Sequence, residues 1–206
     1  MKPFWCDQYS DEWWKLHRAL PSASDFDSIL TPTGKLSAQA DGYICRLLGD
    51  KYDLYYPRKN EFATAAMRHG LSAEPESRKF YELERSCDVK QVGLCISDDG
   101  RLCCSPDGLV GEDGLLELKN PSPAVHVKYL LAGVLPSEYG PQVHGQLVVT
   151  GRKWADFLSY CPGLPPLLIR VVPGEYTELL RAALGLFLAR YDQLGDLLGK
   201  LNHSKH

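Results

Sequence analysis

The chain of 206 residues has no apolar run approaching the roughly 20 residues that cross a bilayer. Its first stretch, "MKPFWCDQYSDEWW", has neither the basic nor the apolar segment of a secretory leader. The expectation is a soluble, cytoplasmic protein with no membrane partner. Nor is there a Cys-x-x-Cys pair among the seven cysteines, at 6, 45, 87, 95, 103, 104 and 161. An odd, scattered set of this kind argues against a disulfide scaffold or a zinc site and for reduced thiols, most of them in the core. An excess of positive charge is also lacking: 23 Lys and Arg face 26 Asp and Glu, a net charge of −3. Wholesale coating of a polyanion is thereby excluded, and any nucleic-acid contact must come from a local patch. There is no internal repeat and no compositional bias, with 44% hydrophobic and 24% charged residues. One globular domain over 1–206 is the simplest organisation.

The first third reads as helices. "SDEWWKLHRAL" offers Ser10 as an N-cap, and "PSASDFDSIL" repeats the pattern with Ser22 or Ser24 as the cap. "LSAQADGYICRLLGD" predicts a helix ending near Gly49. Tyr52, Tyr55 and Tyr56 form a cluster read as core. "FATAAMRHGLSAEPESRKFYELERS" predicts one helix, a break at Gly70 and a second helix opened by Ser72 with Pro75 in its first turn. The period then changes. "VKQVGLCIS", "LCCSPDGLV" and "GLLELKN" are short runs separated by turn signals, an antiparallel meander. Helices follow in "SPAVHVKYLLAG" and "SEYGPQVHGQLVVTG", strands in "WADFLSYC" and "PPLLIRVV", and a long amphipathic helix from "EYTELLRAAL" onward. This order implies an α/β or α+β fold, a sheet with helices on its faces.

The chemistry concentrates in "SPDGLVGEDGLLELKNP", Ser105 to Pro121. Side chains two apart on a strand share a face, so Glu117 and Lys119 stand together while Leu116 and Leu118 point the other way. A charged pair in an otherwise buried run is costly unless it has a partner or an ion. Hydrolysis of a phosphodiester needs a cation to neutralise developing charge and acidify a water. A hard ion such as Mg²⁺ asks only one or two carboxylates of the protein. Asp107, at the turn leaving one strand, and Glu117, on the next, converge on one ion if the two strands form a hairpin, and Lys119 then faces the water or the phosphate. The bland alternative is a Pro-Asp-Gly turn beside a solvated charge pair.

These residues resemble the Asp, Glu-x-Lys core of the PD-(D/E)xK nuclease superfamily. "CSPDGL…LELKNP" is similar to the lambda exonuclease family of phage alkaline exonucleases, the YqaJ-type viral recombinases. Three further segments agree in order: "DEWWKLHRALPSASDF", "MRHGLSAEPESRKF" and "GPQVHGQLVVTGRKWADF". The resemblance implies a restriction-endonuclease-like core with a central mixed sheet flanked by helices. It implies Asp107, Glu117 and the backbone carbonyl of Leu118 as Mg²⁺ ligands, with Mn²⁺ as a substitute. Glu74 completes the site directly, through water or at a second ion. Lys119 orients or deprotonates the water and opposes the developing charge, so that Glu117 and Lys119 are two parts of a metal site rather than an ion pair.

The resemblance also implies a pocket for the 5′-terminal phosphate, to which Ser24 and Ser105 correspond; N-capping and turn formation explain the two serines equally well. Ungapped alignment puts His17 where the family has Arg, whereas a one-residue gap puts Arg18 there. Arg18 is preferred, because a permanently charged fork suits phosphate. Gln142 is the first choice on the Gln-rich helix, with Gln146 and His144 as further candidates. Lys128, Arg152 and Lys153 are candidate backbone contacts or plain solvated charges. The cysteines lack the one-upstream, three-downstream arrangement of cluster-containing relatives. The implied activity is 5′-to-3′ digestion of one strand from linear duplex ends, with an alkaline optimum, by a homotrimeric ring working with a single-strand annealing protein. An endonuclease of the same superfamily and a non-catalytic DNA-binding recombination protein are the alternatives.

Overall fold

In the computed structural model, residues 1–52 and 65–203 are described, the side chains of 65–71 and 202–203 excepted. Tyr55 and Tyr56 lie outside the described residues, and Tyr52 is half exposed rather than core. The chain opens with strand β1 (Lys2–Phe4) and helix α1 (Asp11–His17), which Ser10 caps by accepting from the Trp13 amide. The stretch expected to form a second capped helix is instead a 3-10 turn, Ala23–Ser28. Neither Ser22 nor Ser24 caps it; their hydroxyls meet each other at 3.2 Å. Helix α2 (Ala40–Tyr52) runs on through Gly49.

Helix α3 (Ala65–Arg85) is one helix rather than two. Pro75 sits inside it, where it withholds an amide from the preceding turn. The buried Ser77 hydroxyl donates to the carbonyls of Glu74 and Ala73, in the turn around the proline. Tertiary packing holds the rest, since α3 lies on the sheet and buries Tyr81.

The expected meander divides between two sheets. β3 (Leu94–Ile96) and β4 (Cys103–Cys104) join β1 in a three-stranded sheet of order β1-β3-β4. β2 (Val89–Lys90), β5 (Gly108–Val110) and β6 (Gly114–Lys119) form the antiparallel half of a five-stranded sheet of order β2-β5-β6-β7-β8. Helices α4 (Pro123–Ala132) and α5 (Gly140–Thr150) carry the chain over to β7 (Trp154–Ser159), parallel to β6, and β8 (Leu167–Val171) returns antiparallel. A parallel pair needs such a crossover. Helix α6 (Glu175–His203) closes the fold against α5 and α2.

The sheet is mixed, with helices on both faces. On one face Leu115, Ala155 and Phe157 join the large core under α5, α2 and α6; on the other Leu116, Leu118 and Leu158 pack with Tyr81 of α3. Strand alternation therefore puts Glu117 and Lys119 on the α5 face. All seven cysteines are free thiols. Among the described residues no helix is long and apolar enough to cross a membrane.

Candidate active site

β5 and β6 form a hairpin with Gly108 opposite Leu116, so β6 runs past the end of β5 by three residues. Asp107 stands at that step. A side chain at Gly108 would meet Val89 at 2.1 Å, so the glycine lets β2 close over the base of the hairpin. Asp107 Oδ2 accepts from the Leu118 amide at 2.6 Å. The amide and carbonyl of one strand residue point to the same side. The Leu118 carbonyl therefore faces the same gap, and both residues line a cavity of about 330 Å³. Glu74, Glu117 and Lys119 line it too, as do Ser24, Ser105, Gln142 and Gln146. The hairpin and the neighbouring α3 thus bring all four proposed catalytic side chains to one space.

Within it, Glu117 is 1% exposed and every one of its oxygens is engaged. Oε1 accepts from Lys119 Nζ at 2.5 Å and Gln142 Nε2 at 2.7 Å, and Oε2 accepts from Gln146 Nε2 at 2.6 Å. Glu117 and Lys119 are an ion pair here, contrary to expectation: the ammonium offsets the charge of a buried carboxylate. Burial opposes the Lys119 charge, but Glu117 and Asp107 outweigh it and hold the ammonium above the ordinary lysine value. Its charge also faces the Tyr139 ring at 5.1 Å. Burial, and then Glu117 and Glu74, raise the Asp107 carboxyl well above its usual range. Glu74 is likewise raised by burial, with Glu117 adding to it and Arg78 opposing at 3.7 Å.

This donor set fits a hard divalent cation. It consists of oxygens only, from Asp107, Glu117, the Leu118 carbonyl and Glu74, and two of its carboxyls are disfavoured as anions until positive charge arrives. Among the described residues no three His, Cys, Asp or Glu side chains are gathered closely enough to hold an ion alone, so a cation here would also need a backbone carbonyl, water or substrate oxygen.

The other predicted residues divide. His17, not Arg18, lines the cavity: its ring stacks on Trp13 at 4.2 Å, while Arg18 Nε turns away to the Asp50 carbonyl. The i+4 spacing from Trp13 decides this, because it puts His17 on the same helix face. His144 also leaves the site. It bonds Thr177 of α6 at 2.8 Å on the opposite side of α5 from Gln142 and Gln146. Arg152 and Lys153 brace the β5–β6 turn instead of standing free, through the Gly111 and Gly114 carbonyls and Asp113 respectively. Lys128 is exposed on α4.

Sequence reading missed Tyr9 and Arg78. Tyr9 lines the cavity between Trp13 and Trp14, with ring centroids 5.2 and 6.2 Å away, and holds a left-handed φ of 65°. Such a conformation in a turn has no periodic signature. Trp13 is fixed by donating from Nε1 to both the Gly93 carbonyl and Ser105 Oγ.

A family model for the YqaJ-like viral recombinase domain matches residues 12–153. The chain belongs to the YqaJ-like viral recombinase family. Among solved structures, this YqaJ-like chain is similar to LHK-Exo in complex with dAMP, at 27% identity and a TM-score of 0.82 over 96% of this chain and 100% of that one. It is also similar to LHK-Exo, an alkaline exonuclease from Laribacter hongkongensis, at 28% identity and a TM-score of 0.74 over 93% and 100%. A phage-related exonuclease from Haemophilus somnus 129PT shares the fold at 13% identity, with a TM-score of 0.63 over 89% and 98%. No curated protein matches. The mixed sheet flanked by helices is the alkaline exonuclease fold.

Proposed function

We propose that the chain is a Mg²⁺-dependent deoxyribonuclease that digests the 5′-terminated strand of linear duplex DNA, leaving 3′ single-stranded tails for phage-type recombination by strand annealing. The observation that carries this reading is the meeting of Asp107, Glu117, Leu118 and Lys119 in one cavity that Ser24, Ser105 and His17 also line. Family membership and the likeness to alkaline exonucleases support a nuclease. One neighbour was solved with dAMP, a deoxynucleoside monophosphate of the kind that stepwise hydrolysis releases.

Asp107, Glu117 and the Leu118 carbonyl would hold the cation, with Glu74 directly or through water. A bound divalent ion supplies charge neutralisation at the phosphate and a more acidic attacking water. Lys119, held protonated beside Glu117, would present positive charge to the phosphate. Gln142 and Gln146, donating to its two oxygens, would keep Glu117 aimed at the cation. Ser24 and Ser105 offer hydroxyls to the terminal phosphate, and His17 offers a ring nitrogen. A closed oligomeric ring, a homotrimer in this reading, retains DNA on an acidic chain without broad electrostatic adhesion, and a single-strand annealing protein takes up the exposed tail.

The test is Mg²⁺-dependent digestion of linear duplexes labelled at one 5′ or one 3′ end, with and without a 5′-phosphate, beside covalently closed circles. Loss from the 5′ end, faster with the phosphate, is expected. Nicking of closed circles, or loss from the 3′ end, overturns the reading.

A further inference from the structure

A second cavity, of about 430 Å³, adjoins the first. It shares Tyr9, Glu74 and Asp107 with the first and adds Trp5, Arg78 and Gln91. Tyr9 and its neighbours are the partition between the two. That partition is held rigidly. The Gly93 amide donates to the Phe4 carbonyl at 3.0 Å and the Ser10 amide to the Asp7 carbonyl at 3.1 Å. The backbones approach so closely that a side chain at Gly93 would lie 2.0 Å from the Cys6 carbonyl oxygen. The left-handed Tyr9 then turns the chain between the two spaces.

Trp5 is 63% exposed, whereas Trp13, eight residues on, is 5% exposed. A flat indole left in water at the rim of a cavity is a surface on which a nucleobase stacks, independent of its sequence. Arg78 has only 11% of its side chain exposed. The Gln91 amide, oriented with its oxygen inward, accepts from Nη1 and Nη2 at 2.9 and 3.1 Å, while Nε has no partner. The guanidinium is thus immobilised, with part of its donor capacity unused and Glu74 no nearer than 3.7 Å.

A strand cut at Asp107 and Glu117 must leave that point in two directions, toward the released nucleotide and toward the retained strand. The cavity of Ser24, Ser105 and His17 accounts for one. We propose that the Trp5–Arg78 cavity takes the other: it receives the first nucleotide of the retained strand, its base stacked on Trp5 and the phosphate on its 3′ side at Arg78. This rests on the nuclease reading above, and it assigns the cavity to single-stranded deoxynucleotide rather than to duplex, because the base must leave the stack to reach the indole.

Binding is read in EDTA, where no hydrolysis intervenes, on a 5′-phosphorylated end carrying 2-aminopurine at the second position. The expected result is quenching of the probe in the wild type, loss of that quenching in Trp5→Ala, and affinity about 10-fold weaker. A second probe replaces the phosphate that follows the second nucleotide by a neutral methylphosphonate. The wild type should prefer the charged linkage about 10-fold, and Arg78→Gln should not distinguish the two. If Arg78 only positions Glu74, Arg78→Gln weakens both probes alike and the preference survives, which overturns the phosphate assignment. Unchanged quenching in Trp5→Ala, in a variant that melts like the wild type, overturns the stacking assignment. The two readings separate cleanly: stacking and charge preference without Mg²⁺-dependent digestion sink the nuclease reading alone, and digestion with neither effect sinks this one alone.

Discussion

Glu117 and Asp156 stand on neighbouring strands of one sheet, almost equally buried at 1% and 0% exposed, and face opposite ways. Asp156 lies on the α3 face. Arg170 grips it with two bonds at 2.8 and 2.9 Å, the Tyr81 hydroxyl donates at 2.8 Å and Arg85 stands 3.9 Å away. The Arg170 guanidinium also stacks over Trp154 at 3.8 Å. Glu117, on the α5 face, has one ammonium and two neutral amides, with Asp107 and Glu74 lining the same cavity. Burial of charge is common to both. What differs is the balance: one carboxylate is closed off by matched cations and holds the fold together, while the other sits among further carboxylates and is left short of positive charge. A site short of positive charge is poised to take up a cation.

That contrast predicts opposite consequences for removing the two kinds of carboxylate. Asp107→Asn should lower Mg²⁺-dependent digestion by about 10³-fold or more, since several kcal/mol of charge stabilisation depends on the ion it helps to hold. In EDTA the same change should raise stability by about 0.5–2 kcal/mol, because it removes a carboxyl that burial and Glu117 already disfavour as an anion. Initial rates and thermal melts on one preparation decide both halves. A melt that falls together with activity would show that Asp107 is an ordinary structural carboxylate. Asp156→Ala should do the reverse. It strands Arg170 and Tyr81 and should cost about 3–5 kcal/mol in urea unfolding, with digestion per folded molecule unchanged at low temperature. A small stability loss would erase the distinction.

Much of this contrast was legible in the residues, but unevenly. Glu117 and Lys119 were readable because strand alternation puts i and i+2 on one face, and Leu116 and Leu118 announced the other. Trp13 and His17 share a helix face by spacing alone, yet the choice between His17 and Arg18 turned on charge, and the helix C-cap at Arg18 sent the guanidinium toward Asp50. Asp156 gave no sign, because its partners come from α3 and β8, 75 and 14 residues away. The split of the meander depended on β1 pairing with β3, a contact between residues 90 to 94 apart in the chain. Periodicity carries no such information. Gly70 and Pro75 misled for a related reason: local rules for breaking a helix and opening another lost to the packing of Tyr81.

The glutamine pair sharpens the comparison at a smaller scale. Asp156 is gripped by two guanidinium bonds and a hydroxyl, Glu117 by one ammonium and two neutral amides. Gln146 is 1% exposed and donates to Glu117, a placement suited to aiming that carboxylate rather than to touching DNA, and its own Oε1 has no partner. Gln146→Leu should therefore cost the fold little, while weakening Mg²⁺ binding by about 10- to 100-fold in calorimetric titration. End binding in EDTA should be unaffected. Equal affinity in the variant would return Gln146 to the role of core filler.

The smallest expected effect comes from His144, one helix face away from those glutamines. Gly174 donates its amide to Thr177 Oγ1, so that hydroxyl is free to donate its proton to His144 Nδ1, which suits a neutral imidazole. Burial lowers the His144 pKa from its ordinary 6.5. Between that value and the lower folded one, the unfolded chain binds a proton that the native ring refuses. Stability is accordingly full above about pH 6.5 and falls as pH drops through the window. The ring is only half shielded from water, which damps the effect, so replacing it should flatten the acid side of the melting profile by on the order of 1 °C. His144→Gln, melted between pH 7.5 and 5.5 alongside the wild type, reads this directly. If the variant is steeper than the wild type in that window, His144 is held protonated in the fold, and the α5–α6 contact is a charged hydrogen bond rather than a neutral one.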